Sequence, residues 1–308
     1  MNAIAIRNVT KTFGAVTAVN QVTLDVPEGS IYGFIGPNGS GKTTTIRMIM
    51  NILLPDAGEV MVFDRHSHSD IRDHVGYLPE ERGLYKRMTV RRVLRYYGQL
   101  KGRGAAELDP VINRWLERLQ LAAWADKKVQ TLSKGMSQKV QFIASIVFKP
   151  RLLILDEPFS GLDPVNADAL RDAVLELRRD GTTIVFSTHD MPAAERLCDR
   201  IFMIFKGQKV LDGTLDEIQS QYGQDTVRVR TTAGAGALAG LPDIDTVTDH
   251  GNFQDVRLAG DPQGFLGRLA QKTAVQHFEI RKPSLHDIFI RIAKPTAEEM
   301  KAPAGATA

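Results

Sequence analysis

Residues 36–43 read Gly36-Pro37-Asn38-Gly39-Ser40-Gly41-Lys42-Thr43, with Thr44 directly after them. A short, mostly apolar run of strand-forming residues, 30–35, precedes them, and residues 45–54 follow with helical periodicity and no Gly or Pro. GxxxxGKT between a strand and a helix is the pattern of a phosphate-binding loop. Its glycines let backbone N–H groups surround an anion, and the helix start adds partial positive charge. The stretch therefore predicts that the chain binds a nucleoside triphosphate.

Two side chains of this loop have predicted chemical roles. The Lys42 ammonium is expected against the β- and γ-phosphates, and the Thr43 hydroxyl is expected to ligate Mg²⁺. The other residues expected to contact the nucleotide are Gly36, Pro37, Asn38, Gly39, Ser40, Gly41 and Thr44. The simpler alternative is an ordinary glycine turn between strand and helix, and the agreement of the motif with its flanks argues against it.

Composition limits the class of protein. The 308 residues suggest about two domains, and 43% apolar with 24% charged residues is ordinary for a soluble globular protein. A net charge of +3, without a long basic run, does not favour a nucleic-acid binder. The single cysteine, Cys198, excludes an intrachain disulfide and is expected to be a buried thiol. Residues 1–7 lack the pattern of a signal peptide and no apolar run approaches membrane-spanning length, so we expect any membrane function to need a partner.

A second chemical stretch is Leu152-Leu153-Ile154-Leu155-Asp156-Glu157. Four consecutive apolar residues predict a strand buried on both faces of a parallel sheet. At the carboxyl edge of that sheet, Asp156 is expected to hold Mg²⁺ and Glu157 to activate the attacking water. A purely structural alternative is an acidic pair that caps the following helix. The run 183–188 repeats the design and ends at His189. A lone histidine is ordinarily a satisfied core or surface residue, and at this sheet edge the alternative is a donor of a hydrogen bond to the γ-phosphate.

Weaker patterns leave alternatives open. Phe13, in an expected loop at 11–16, is predicted either to stack on a nucleobase or to pack in the core. His66 and His68 have no second ligand pair at zinc-like spacing, so a solvated loop is favoured over a metal site. Trp115 keeps helical spacing with apolar neighbours and is expected in the core. Further strands are predicted at 3–9, 22–26, 59–62 and 75–78, and helices at 89–101, 109–120 and from about 137.

Together these stretches resemble the ATP-binding subunit of a bacterial ABC transporter over about residues 3–222. Residues 36–43 match the family's Walker A motif, and residues 152–157 match its Walker B motif. The other matches are Leu132–Gln138 to the LSGGQ signature, Ser160–Asp163 to the D-loop, His189 to the switch histidine and Phe13 to the A-loop aromatic. The resemblance implies an α/β P-loop NTPase core with a β-subdomain and a helical subdomain at about 85–150.

The resemblance also implies the mechanism. In the family two such domains pair head to tail with ATP in the interface. Ser133 and the Gly135 amide would therefore bind the γ-phosphate of the ATP that is held by the phosphate loop of the second copy. Asp163 would link the two sites. Lys42, Mg²⁺, Ser133 and His189 would then position and neutralise the phosphates, which is most of what phosphoryl transfer needs.

Three positions depart from the family pattern. Glu80 stands at the position of the family's Q-loop glutamine; its carboxylate can still meet Mg²⁺ or water, but it adds negative charge. Lys134 and Met136 replace a glycine and a glutamine of the signature. Residues 77–85 and 132–141 are similar to a subgroup of bacterial exporters that move drugs, antibiotics, ions or glycolipids, so we interpret the departures as subgroup features.

A second unit is expected after a break at Gly223. Strands are predicted at 226–230, 245–249, 253–258 and 276–280, helices at 262–271 and 284–292, and a flexible loop at 233–237. Ser284 is expected to cap the last helix with Asp287 at capping-box distance. The predicted division is therefore an ATPase domain at 1–222, a small α+β domain at 223–294 that resembles the ending of the same exporters, and a disordered tail at 295–308.

The leading hypothesis is an ATPase that binds ATP and Mg²⁺, forms a homodimer and drives export through a separate transmembrane permease. It would lie peripherally on the cytoplasmic face of the bacterial inner membrane, with the permease docked at the helical insertion and the Glu80 loop, and without nucleic acid. One alternative is a soluble ABC ATPase acting on ribosomes or DNA, although neither a second cassette nor a long coiled-coil insertion is present. Another is a regulatory module that barely hydrolyses ATP, favoured only by Lys134 and Met136.

Overall fold

The computed structural model describes residues 1–66, 73–81, 83–223 and 225–293. The chain is divided into two compact units, and the boundary between them lies between Gly213 and Thr214. The expected tail at 295–308 and the predicted loop residue His68 lie outside the described residues. Within those residues, no helix is both long enough and apolar enough to cross a membrane.

The first unit alternates strands and helices. Its strands are β1 (Asn2–Phe13), β2 (Val16–Pro27), β3 (Ile31–Ile35), β4 (Ala57–Val62), β5 (Arg65–His66), β6 (Val75–Leu78), β7 (Leu152–Asp156), β8 (Thr183–Thr188), β9 (Arg200–Phe205) and β10 (Gln208–Gly213). Its α-helices are α1 (Lys42–Ile49), α2 (Val90–Leu100), α3 (Ala105–Arg118), α4 (Lys134–Ile146), α5 (Pro164–Arg179) and α6 (Met191–Leu197).

A six-stranded sheet in the order β10-β9-β3-β8-β7-β6 is the centre of this unit. All its pairings are parallel except that of β9 with β10. Every residue of β3, β7 and β8 is buried, as expected for strands covered on both faces. Ile35 pairs with Thr188 and Asp156 with Ser187, so the carboxyl ends of the three strands meet at one edge. The predicted P-loop α/β fold is confirmed.

A separate four-stranded antiparallel sheet, in the order β2-β1-β4-β5, forms the β-subdomain. The predicted loop at 11–16 is wrong, because β1 and β2 continue to a tight turn at Gly14 and Ala15. Register shifts interrupt the pairing, and Asn8 and Gln21 have positive φ. These irregularities break the alternation of apolar residues, and a prediction based on that alternation therefore ends the strands too early.

The helical subdomain consists of α2, α3 and α4. Trp115 is buried against Phe142, with ring centroids 6.2 Å apart, so its predicted core position is confirmed. The predicted start of α3 at 109 is wrong: the helix begins at Ala105, four residues earlier, and has Pro110 inside it. Leu108 in its first turns is buried, and its side chain fills the space beside Gly98 of α2. This packing favours an early start despite the proline.

The second unit is built around a four-stranded antiparallel sheet in the order β12-β13-β11-β14. Its elements are α7 (Leu215–Gln221), β11 (Thr226–Thr231), β12 (Ile244–Asp249), β13 (Gln254–Leu258), α8 (Pro262–Lys272), β14 (Val275–Arg281) and α9 (Leu285–Ala293). The predicted loop at 233–237 is wrong, because Gly234–Leu238 form a 3-10 helix whose Ala237 and Leu238 are buried. The capping box of α9 is confirmed, since Ser284 and Asp287 exchange hydrogen bonds of 3.1 Å.

Helix α7 belongs to this second unit, and the division therefore lies before the predicted boundary at 222. Asp216 forms a 2.6 Å ion pair with Lys282, and Gln219 donates to the Pro283 carbonyl at 2.9 Å. Arg291 of α9 donates to the Tyr222 carbonyl at 3.1 Å. These contacts join α7 to the last strand and helix of the unit, which composition alone did not indicate.

Candidate nucleotide site

The loop between β3 and α1 has a backbone conformation that strongly favours glycine at its key positions. Gly36, Gly39 and Gly41 have φ of +151°, +76° and +110°. A Cβ at Gly36 would lie 2.2 Å from the Ile204 carbonyl oxygen, and one at Gly41 would lie 2.5 Å from that of Ala18. The loop is therefore held tightly against its neighbours in a conformation that leaves room for an anion on its open side.

A cleft of about 260 Å³ opens at this loop. The residues that line it are Ala18, Asn38, Gly39, Gly41, Lys42, Thr43, Thr44, Glu80, Asp156 and Glu157. Helix α1 begins here, at Lys42, and its N-cap residue is Gly41, which has no side chain to cap the helix. Its N-terminus can therefore offer backbone N–H groups and partial positive charge to a phosphate.

Lys42 is buried at the bottom of the loop. Its ammonium donates to the carbonyls of Gly36 at 2.6 Å and Pro37 at 3.0 Å. Burial lowers the pKa of Lys42, and this effect is opposed by the negative charges of Glu157, Asp156 and Glu80. An anion in the cleft would restore the favourable surroundings that burial removes from this ammonium.

Two carboxylates at the end of β7 face different partners. Asp156 is 2% exposed, and burial raises the pKa of its carboxyl. Glu157 takes a left-handed conformation with φ of +48°, which is uncommon for a residue with a side chain. This turn of the backbone directs Glu157 toward the end of β8.

The Glu157 carboxylate is held by the residues that end β8. Its Oε1 accepts from the His189 backbone N–H at 2.9 Å and lies 2.7 Å from His189 Nδ1, and its Oε2 accepts from the Thr188 hydroxyl at 3.3 Å. The imidazole itself is 57% exposed. Glu157 and His189 thus form one hydrogen-bonded pair at the cleft. This pair was not predicted from the sequence, which related Glu157 to the attacking water and His189 to the γ-phosphate.

A magnesium ion fits the chemistry of these side chains. Thr43, Asp156 and Glu80 all line the cleft and supply only oxygen ligands, which Mg²⁺ prefers. In the described part of the chain, no group of three His, Cys, Asp or Glu is arranged to hold a metal. Mg²⁺ is usually bound by one or two carboxylates together with water and substrate phosphates, so a complete protein cage is not required. A divalent cation would also offset the burial of Asp156.

Other predicted site residues do not line this cleft. Phe13 ends β1 with 48% of its surface exposed and Lys11 over its ring at 5.6 Å, so the core alternative for Phe13 is wrong. Ser133 caps α4 by accepting from the Met136 N–H at 3.2 Å, and a Cβ at Gly135 would lie 3.2 Å from Asn166 Nδ2. The predicted start of this helix at 137 is wrong, since it begins at Lys134. Four more predicted site residues are absent from the lining of the cleft: Gly36, Pro37, Ser40 and His189.

Sequence reasoning missed two residues at the cleft. Ala18 of β2 lines it, and its carbonyl oxygen is the atom nearest to a Cβ at Gly41. Thr188 bonds the Glu157 carboxylate. The polar end of β8 was a usable signal for Thr188, because it immediately precedes His189. No local pattern marks Ala18, because its position depends on the approach of its carbonyl to Gly41 and Gly207, which are distant in sequence.

We expect Gly36→Ala to destabilise the fold and to abolish nucleotide binding. The new methyl group would meet the Ile204 carbonyl at 2.2 Å in a backbone region that L-residues avoid. Strain of this kind costs at least about 2 kcal/mol in the free energy of unfolding, which urea denaturation measures. Gly14→Ala is the matched control, because its φ is +58° and no atom of the residues that the structure describes lies within 4 Å of the added Cβ. It should lose only about 1–2 kcal/mol and keep its affinity for ATP. Equal behaviour of the two variants would contradict the packing argument.

Comparisons with known proteins identify the family of this chain. The family model described as ABC transporter matches residues 19–160, and the model described as ATP-binding protein DrrA1-3-like, C-terminal domain, matches residues 213–293. The chain is 41% identical to the uncharacterized ABC transporter ATP-binding protein YhaQ of Bacillus subtilis, over 93% of this chain and 97% of that protein.

Two further proteins extend the similarity. The Nod factor export ATP-binding protein I of Burkholderia lata is 33% identical over 96% of this chain and 97% of its own. A solved structure titled as the ATP binding subunit of an ABC transporter superposes with a TM-score of 0.68 and 31% identity, covering 72% of this chain and 93% of that one. The chain therefore belongs to the ATP-binding subunits of ABC transporters, which are ATPases.

Proposed function

We propose that this chain hydrolyses ATP at the cleft beside α1 and that the energy drives export through a separate transmembrane permease. The observation that carries the proposal is the grouping of the glycine loop, Lys42, Asp156 and Glu157 around one cleft. Similarity over 96% of the chain to a protein named for Nod factor export supports the direction of transport. The cargo is not specified, because its path lies in the permease.

In this proposal each cleft residue has a separate task. Lys42 and the N–H groups at the start of α1 bind the phosphates, and Glu157 accepts the proton of the attacking water. Thr188 and His189 hold the Glu157 carboxylate in place. Because the carboxylate accepts from Nδ1–H, Nε2 donates to a phosphate oxygen only when the imidazole carries both protons. Thr43, Asp156 and Glu80 would hold Mg²⁺, which supplies charge neutralisation to the phosphates when bound.

The active form in this proposal is a head-to-tail homodimer. Ser133 and Gly135 lie at the start of α4 and do not line the cleft of their own chain. A helix N-terminus is a suitable donor to a γ-phosphate, so a second copy would complete each site. Phe13, exposed at the end of β1, is available to stack on the base.

The permease is proposed to dock at an apolar groove of about 400 Å³. Leu84, Tyr97, Leu100 and Phe148 are among its lining residues, and Leu100 is 60% exposed. Exposed apolar surface in a concave site is typical of a protein interface. Docking there would hold the ATPase at the cytoplasmic face of the bacterial inner membrane as a peripheral subunit.

We expect the purified chain to hydrolyse ATP steadily. We also expect a polytopic membrane protein to be recovered with the tagged chain when it is purified from detergent-solubilised native membranes. Leu100→Asp should lower that recovery at least about tenfold, since a charge in an apolar anchor site costs about 2 kcal/mol or more and about 1.4 kcal/mol corresponds to a factor of ten. Val247→Asp is the control, because Val247 is a half-exposed apolar residue of the second unit. Co-purification with ribosomes instead would favour the soluble alternative, and absence of hydrolysis would favour the regulatory one.

A further inference from the structure

Positive charge is concentrated in the helical subdomain. Residues 85–150 contain fourteen Lys and Arg and four Asp and Glu, a formal charge of +10, whereas the whole chain carries +3. The remaining residues therefore carry −7, which is the difference between those two charges. An asymmetry of this size within one chain indicates a surface that meets negative charge.

The acidic residues of this subdomain neutralise only part of that charge. Asp109 pairs with Arg95 at 2.6 Å, Glu107 with Arg103 at 3.1 Å, and Asp126 with Arg91 at 3.6 Å. Seven exposed cations of this subdomain form no ion pair with any other residue that the structure describes. Two of them are Lys134 and Lys149, and we call the other five, which lie within 86–92 and 127–128, the basic ridge. The basic ridge consists of Lys86, Arg87, Arg92, Lys127 and Lys128.

Backbone hydrogen bonds bring the two parts of the basic ridge together. Residues 86–91 run antiparallel to residues 125–130, with an isolated bridge between Thr89 and Lys128. Gln130 donates its N–H to the Lys86 carbonyl at 3.1 Å, and Val90 donates to the Lys127 carbonyl at 3.0 Å. These bonds hold the cations of the two segments close together in space, although the segments are far apart in sequence. The like charges therefore repel one another at short range.

Three tyrosines adjoin the basic ridge. Tyr85 immediately precedes Lys86 and is 49% exposed. Its ring lies 5.4 Å from that of Tyr96, which in turn lies 5.7 Å from that of Tyr97. Exposed tyrosine beside Lys and Arg is typical of surfaces at the membrane–water interface, where the ring is half in contact with lipid.

We propose that the basic ridge binds the anionic headgroups of the membrane in which the permease lies. Clusters of four to eight Lys and Arg bind anionic lipid surfaces with about 1 kcal/mol from each cation. This binding rests on the proposed function for the presence of a membrane, and it involves no residue of the nucleotide cleft. The chain would then contact the membrane directly, in addition to its contact through a partner.

The test is co-sedimentation of the full chain with vesicles, without nucleotide. We expect vesicles of phosphatidylcholine with about 30% phosphatidylglycerol to bind the chain, and pure phosphatidylcholine to bind it at least tenfold more weakly. The triple variant Arg87→Glu/Lys127→Glu/Lys128→Glu should lower the partition coefficient about 100-fold. Raising NaCl from about 0.05 to 0.5 M should have a similar effect, because added salt screens exposed charges.

The matched control changes the same charge elsewhere. Arg179→Glu/Arg196→Glu/Arg230→Glu alters three other exposed cations and gives an identical net charge. This control should bind anionic vesicles nearly as well as the unmodified chain, and both variants should keep their ATPase activity in solution. Equal loss in both triples, no preference of the unmodified chain for anionic vesicles, or tighter binding to duplex DNA than to these vesicles would overturn the proposal. Failure of the ATPase assay alone would count against the proposed hydrolysis and leave this surface unaffected.

Discussion

The Glu157→Gln variant is expected to hydrolyse ATP about 10²–10⁴ times more slowly than the unmodified chain while its affinity for ATP is retained. The expected loss is large because an amide cannot accept the proton that the attacking water releases. The Glu157 side chain is buried beside the cleft, where little bulk water can replace it as a base.

The structure explains why this substitution should leave the site otherwise intact. Glutamine has the same shape, and its carbonyl oxygen can still accept from the His189 N–H, which bonds Oε1 of Glu157 at 2.9 Å. The left-handed backbone, with φ of +48°, is equally demanding for Glu and Gln. The variant should therefore unfold at a similar urea concentration, so that its lost turnover reports on chemistry.

Single-turnover hydrolysis with excess protein measures the chemical step, and calorimetric titration measures the ATP affinity. Glu80→Gln is the control, because Glu80 lines the same cleft from an exposed loop. We expect Glu80→Gln mainly to raise the Mg²⁺ concentration that half-maximal activity requires. Full turnover by Glu157→Gln would refute Glu157 as the base, and an equal loss in both variants would show that neither carboxylate has a separate task.

The convergence of the nucleotide site could be predicted from sequence because it follows from a general property of parallel sheets. Strands β3, β7 and β8 each read as buried runs, and buried parallel strands end at a common edge. Lys42 and Asp156, which lie at or just beyond such ends, were therefore expected near each other and do line one cleft. The approach of Glu80 followed only from the family resemblance, because no strand pattern near residue 80 requires it.

Features that depend on backbone irregularity or on distant packing could not be predicted in the same way. The bond between Glu157 and His189 requires a positive φ at a residue that rarely adopts one. The early start of α3 depends on Leu108 filling the space beside Gly98, which is ten residues away in sequence and on another helix. Periodicity reports the face that a helix buries, but it contains no information about which neighbour that face meets.

The Lys42→Ala variant is expected to bind ATP about 30- to 5,000-fold more weakly than the unmodified chain. Removal of one partner from a close, buried charge pair costs about 2–5 kcal/mol, and a factor of ten in Kd corresponds to about 1.4 kcal/mol. The Lys42 ammonium is buried against the backbone of the glycine loop, and its Nζ lies 2.6 Å from the Gly36 carbonyl oxygen. Surface cations cannot substitute for it, because water screens them from the phosphates.

Loss of binding in this variant should not arise from unfolding. Burial lowers the pKa of Lys42, which means that its charged form is disfavoured by the surrounding protein before any anion is present. Removal of the ammonium therefore relieves an electrostatic cost while it leaves two backbone carbonyls without their donor. Lys42→Met keeps most of the side-chain volume and separates the two effects, since it restores packing and not charge.

Calorimetric titration of both variants with ATP and Mg²⁺, together with urea denaturation without nucleotide, tests this argument. We expect Lys42→Met to unfold within about 1 kcal/mol of the unmodified chain and to lose as much ATP affinity as Lys42→Ala. If Lys42→Met recovered micromolar affinity, the lysine would act by filling space, and the cleft would bind phosphate through backbone N–H groups alone. Because α1 begins at this loop without a side-chain cap, those groups set the residual affinity that both variants should share.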